Sequence, residues 1–205
     1  MKNRLLPLLP AFLYLNGCAT MNEAECLNAD WKIIGIEDGS EGRAPSYLGL
    51  HRSACATYNV TPDLEAYMQG HQIGVKHYCT PANGYNVGEA GKTYNGVCPP
   101  QLEANFLANY EHGYEHYKWQ RELDNIDSSI QYNTGKINDL KKEISELENQ
   151  IVSNGTTEAL RASLLEKIKE RQNKIGYLES EISDYNRNKI ILNDRLQIHN
   201  QQFHY

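Results

Sequence analysis

Residues 123–151 read LDNIDSSIQYNTGKINDLKKEISELENQI, and in them Leu123, Ile126, Ile130, Asn133, Ile137, Leu140, Ile144, Leu147 and Ile151 recur at alternating steps of three and four. That spacing keeps one narrow apolar seam on one face of a helix and is the pattern of a left-handed coiled coil. After Ser153-Asn154-Gly155-Thr156-Thr157 the period restarts with Leu164, Ile168, Arg171, Ile175, Leu178, Ile182, Tyr185, Lys189, Leu192 and Leu196, and His199 and Phe203 close it. The interruption contains the turn dipeptide Asn-Gly, and Thr157 is placed to cap a second helix. Folding back at Gly155 brings Leu147 near Leu164, Ile144 near Ile168, Ile137 near Ile175 and Ile130 near Ile182. The expected product is an antiparallel helical hairpin over residues 119–205, turning near 153–157. Its first arm, 119–152, would be about 50 Å long at the α-helical rise. The second arm is longer, so its end should lie back against whatever precedes the hairpin. Asn133, Arg171 and Lys189 interrupt the seam, and polar seam residues set register at some cost in stability. The alternative to an internal hairpin is pairing of each helix with another chain, which would make the protein a homo-oligomer.

Working outward, residues 119–205 hold no Cys, no Pro and only Gly135, Gly155 and Gly176, whereas the preceding hundred residues are rich in Gly, Tyr, Pro and Cys. Such a shift marks a boundary near 118/119 between a head region, 18–118, and the hairpin. The head reads as several short helices, two of them at about 23–38 and 46–58. Asn22 with Glu25 forms a capping-box pattern, and Thr61-Pro62-Asp63 reads as a cap followed by proline at the first helical position. An aromatic residue and a pair of glycines recur: Trp31, Gly35, Gly39; Tyr67, Gly70, Gly74; Tyr85, Gly88, Gly91; and more weakly Tyr110, Gly113. Glycine costs a helix up to about 1 kcal/mol relative to alanine, so its repeated use implies close approach of another backbone or ring.

At the other end, Lys2 and Arg4 precede a leucine-rich run too short to span a bilayer, and Leu15-Asn16-Gly17-Cys18 follows. A basic start, a short apolar stretch and a small residue before the break are the parts of an export signal. The cysteine makes the segment resemble a bacterial lipobox, so residues 1–17 are expected to be a lipoprotein signal peptide and Cys18 the acylated anchor. By analogy with lipoprotein sorting in Gram-negative cells, Ala19 and Thr20 rather than an aspartate after the cysteine imply the outer membrane, facing the periplasm. Loss of Lys2 and Arg4 with the signal leaves 18 Lys+Arg against 26 Asp+Glu, a net charge of −8. An acidic chain without a basic run argues against nucleic acid as partner.

Four cysteines remain, Cys26, Cys55, Cys79 and Cys98, and an even number in an exported chain reads as two disulfides. Three pairings are possible. Cys26 with Cys55 and Cys79 with Cys98 is preferred, because antiparallel helices over 23–38 and 46–58 would place the first pair at one end and the second pair would join two further helix ends. Each closed loop contributes about 3 kcal/mol on the chain-entropy estimate.

The blocks CATMNEAECLNADWKIIGIEDGSEG, YCTPANGYNVGEAGKTYNGVCP and FLANYEHGYEHY resemble the DUF2799 family of uncharacterised bacterial lipoproteins over about residues 18–120. The resemblance implies a lipoprotein and supplies no substrate or catalytic residue.

One stretch imitates a catalytic motif. HGYEH, residues 112–116, fits His-x-x-Glu-His, in which His112 and His116 one turn apart would ligate zinc with Glu115 as base. His51, His71 and His77 have no ligand spacing to one another and read as surface or satisfied core groups. The serines lack a Gly-x-Ser-x-Gly elbow, and the glycine pairs fall inside helices rather than after a strand, where a phosphate-binding loop would need them. The expected protein is mainly α, a small disulfide-stapled helical head followed by a long coiled-coil hairpin. It is a membrane-anchored, non-enzymatic lipoprotein without cofactor, meeting a periplasmic protein or the cell wall. The alternatives are a zinc-dependent or cell-wall hydrolase using His112 and His116, and a small-ligand binding module.

Overall fold

The computed structural model describes residues 20–203. Cys18 and the expected signal peptide, 1–17, lie outside the described residues. The described chain contains seven α-helices: α1 Glu23–Leu27, α2 Trp31–Ser40, α3 Leu48–Cys55, α4 Leu64–Tyr78, α5 Pro81–Glu89, α6 Pro100–Val152 and α7 Glu158–Gln202, with short 3-10 turns at Pro45–Tyr47 and Ala56–Tyr58. The chain divides into two units. The first runs to Cys79 and includes Tyr94–Pro99; the second comprises Thr80–Thr93 and everything from Pro100 onward.

In the first unit, Asn22 and Glu25 form the expected capping box on α1. The single helix expected over 23–38 is interrupted, because the Asp30 side chain accepts from Lys32 N and Ile33 N and starts a new helix there. An aspartate that satisfies two orphan amide groups outcompetes continuation of the helix through it. The cap on α4 likewise falls on Asp63, which accepts from Ala66 N, rather than on Thr61. Cys26 is joined to Cys55 and Cys79 to Cys98. Cys26 and Cys55 pack with Met21, Trp31, Leu48 and Tyr67 in the core of this unit.

The centre of the first unit is the α2–α4 pair, and its closeness follows from glycine. A Cβ on Gly39 would stand 2.8 Å from Val75 N, and one on Gly74 would stand 2.7 Å from Ser40 N. Both are nearer than a carbon can approach a backbone atom, so only glycine permits this helix separation. The second unit repeats the device between α5 and α6: a Cβ on Gly88 would stand 2.7 Å from Tyr114 N and one on Gly113 2.8 Å from Glu89 N. Just past α2 and α5 the chain turns through Gly42 and Gly91, at φ 71° and 65°. Each of these glycines sits under a tyrosine ring, Tyr78 and Tyr117 respectively.

α6 begins at Pro100 and runs unbroken through residues 118 and 119, where the composition shift suggests a boundary. The shift records a change in what the helix packs against. Gly113 and Phe106 meet α5, whereas Leu123 and Ile126 pack with Leu192 and Leu196 of α7. α6 and α7 form the antiparallel hairpin, with Thr157 accepting from Leu160 N at the start of α7. The three polar interruptions of the seam each find a carboxylate on the opposing helix: Asn133 donates to Glu181 at 3.2 Å, Arg171 Nε to Glu143 at 3.1 Å, and Lys189 to Asp127. Cross-helix pairing of this kind fixes register at positions where an apolar residue would tolerate a slip. At the rise of an α-helix, α6 is about 80 Å long and α7 about 68 Å.

Candidate functional site

Two buried polar clusters stand out among the described residues, one in each unit. The first is built on Asp38, which is 2% exposed. Its Oδ1 accepts from the Arg43 guanidinium at 2.9 Å, and its Oδ2 accepts from the Tyr67 phenol at 2.7 Å. His51 Nε2 lies 2.9 Å from the same Oδ2. A carboxylate taking two other donors can only accept, so the proton of that contact belongs to Nε2. The other ring nitrogen, Nδ1, faces Thr20 Oγ1 at 3.1 Å. Burial, and then the bond to Asp38, pushes the Tyr67 phenol up and keeps it a donor.

The backbone explains how these side chains meet. Gly42 reverses the chain after α2, so that Arg43 N donates back to Asp38 O at 2.9 Å while its side chain reaches the Asp38 carboxylate. His71 Nε2 donates to the Arg43 carbonyl at 2.7 Å and holds that turn against α4. Asp38 and His51 lie at the floor of an open cleft of about 410 Å³, walled in part by Ile33, Glu37 and Glu41. The cluster ties Thr20, the α2 turn and α3 to Tyr67 of α4. Among these residues the sequence reading singled out His51 and His71, as surface or satisfied core groups, and Tyr67 for its place in the glycine repeat. Asp38 carries only one local signal in the sequence, a carboxylate directly beside Gly39 on a face that must be buried.

The second cluster gathers imidazoles. His112 and His116, the candidate ligands, lie on α6 and face His199 of α7, with ring centroids 6.2 and 5.8 Å from it. His199 is 5% exposed, and its Nε2 has no hydrogen-bond partner. Its ring packs at 5.4 Å edge-on to Trp119 and at 4.8 Å from Phe203, and stacks at 6.0 Å on Tyr85 of α5. His116 Nδ1 is 3.4 Å from a Glu89 carboxylate oxygen. Burial first, then His116 and His112, lower the His199 imidazole below its ordinary value of 6.5. Among the described residues no group of three His, Cys, Asp or Glu side chains is placed to hold a metal ion. The sequence placed His199 in the helical seam, but gave no indication that it would meet the two histidines of the imitated motif.

These features define a class: a protein whose described residues are helical, with one glycine-interlocked helix pair in each unit, both disulfides within the first unit, and the second pair extending into a coiled-coil hairpin. Residues 30–115 match the model of DUF2799, described as a protein of unknown function. The match opens on the Asp30 cap of α2 and closes in α6 beside Gly113, so it spans both interlocked pairs and leaves the hairpin outside. No curated protein and no solved structure matches the chain.

Proposed function

We propose that this protein is a lipid-anchored, non-catalytic adaptor of the bacterial outer membrane, held by acylated Cys18 and meeting a periplasmic protein or the cell wall through its hairpin. The observation that carries the reading is the hairpin itself. Two helices of 53 and 45 residues are locked in register by Asn133–Glu181, Arg171–Glu143 and Lys189–Asp127, and end in a five-residue turn at Ser153–Thr157. A long paired element with a small solvent-exposed tip suits reach and contact rather than enclosure of a substrate. The exposed apolar side chains Val152, Leu160 and Leu165 near that tip supply surface for a partner. The hydrolase alternative draws no support from His112 and His116, whose neighbours are aromatic rings, a third imidazole and, at His116, the single carboxylate of Glu89.

Two experiments test the two halves of the reading. Metabolic labelling with an alkynyl fatty acid should mark the wild-type chain and leave Cys18→Ala unlabelled and released from membranes. A photo-crosslinker at Asn154 should capture one specific envelope component. An unlabelled wild-type chain defeats the anchor; a phenotype indifferent to deletion of residues 140–170 defeats the adaptor.

A further inference from the structure

We propose that His199 is a proton-operated latch: uptake of a proton by its buried ring releases the last turns of α7 from α5 and α6 while the rest of the hairpin stays paired. The neutral ring fits where it is. Tyr85, Trp119 and Phe203 surround it with aromatic surface, and its unpartnered Nε2 is tolerated only while the group carries no charge. A second N–H on that ring would have no acceptor in place, and burying an uncompensated imidazolium is far costlier than burying an unpaired neutral nitrogen.

The charged surroundings set the direction. On α6, His112 and His116 face the ring and repel the protonated form once they are themselves charged, while Glu115 favours it. On α5, Glu89 favours it but is already engaged with His116. On α7 itself, Arg195 lines the same groove. That groove, about 280 Å³ and open beside Glu115, is where a charged ring gains solvent and a carboxylate. Moving there, His199 withdraws from Tyr85 and Trp119. It also pulls on Phe203, whose amide donates to the His199 carbonyl at 3.0 Å and whose ring stacks on His112 at 4.0 Å. Leu192 and Leu196, packed on Leu123 and Ile126, mark where the release stops.

A base that is harder to protonate when docked binds fewer protons docked than released, so docking is at full strength above the released value near 6.5 and weakens as pH falls below it. The latch is independent of the lipid anchor and of any partner at the tip, so failure of either leaves it standing. Hydrogen exchange read by mass spectrometry on the purified chain at pH 7.5 and 5.0, corrected for intrinsic rates, tests it. Protection of residues 197–203 should fall several-fold, with residues 130–150 unchanged. His199→Phe should abolish the difference. Equal protection at both pH values, or a fall that persists in His199→Phe, overturns the proposal. An NMR titration of the wild-type histidines requires no variant: a His199 midpoint at or above the ordinary imidazole value overturns it as well, and a midpoint below it that rises in His116→Asn supports it.

Discussion

The α2–α4 and α5–α6 pairs solve one packing problem with two interiors. Gly39 and Gly74 correspond to Gly88 and Gly113 in what each would strike, and Gly42 under Tyr78 corresponds to Gly91 under Tyr117. Even the bond that holds the turn is reproduced, His71 to the Arg43 carbonyl at 2.7 Å in one and Tyr110 to the Lys92 carbonyl at 3.0 Å in the other. Where the first pair buries Asp38 and Tyr67, the second buries Val87 and Phe106 at the same steps from its glycines. The second pair therefore shows that the backbone arrangement stands without a buried carboxylate. What Asp38 adds is a connection from the pair to Thr20 and α3, elements absent from the second pair. Buried ionic networks contribute little net stability against well-packed apolar replacements, so what this one adds is the link between these segments.

The largest effect that would break this comparison lies at the shared glycines. Gly74→Leu and Gly113→Leu each drive a side chain into the backbone of the facing helix, and each should cost about 3 kcal/mol or more, seen as loss of exchange protection in its own pair. If only one of the two is damaging, the pairs are not equivalent. Next, Asp38→Ala leaves His51 buried without its carboxylate and should cost about 3–5 kcal/mol in denaturant unfolding. The triple variant Asp38→Val, His51→Leu, Tyr67→Phe, which gives α2 and α4 the residues of the second interior and removes the imidazole that would be left without its carboxylate, should recover most of that loss; failure to recover would mean that the network is needed by the pair itself. The smallest effect sharpens the one place where the pairs diverge. Gly70 lies against the Lys32 carbonyl, whereas the matching step on α6 is Asn109, whose amide donates to Asn105 O at 2.8 Å. Asn109→Gly should therefore change thermal stability by no more than about 1 kcal/mol, the helix-propensity term, while Gly70→Asn should be nearly as damaging as Gly74→Leu.

Residue spacing alone determined the two long helices, their turn at 153–157 and the caps at Asn22 and Thr157, because a 3.6-residue period and a side chain reaching an amide three positions on are local properties. It also exposed the glycine repeats, since glycine inside a helix needs a reason wherever it stands. Only the tertiary structure decided which helix each repeat faces, that α6 carries one repeat and half the hairpin without a break, and that Asp38 meets His51 and His199 meets His112 and His116. These are encounters between residues 13 to 87 positions apart on different helices. Their partners are chosen by backbone approach and shared burial, quantities that no window of a single helix contains.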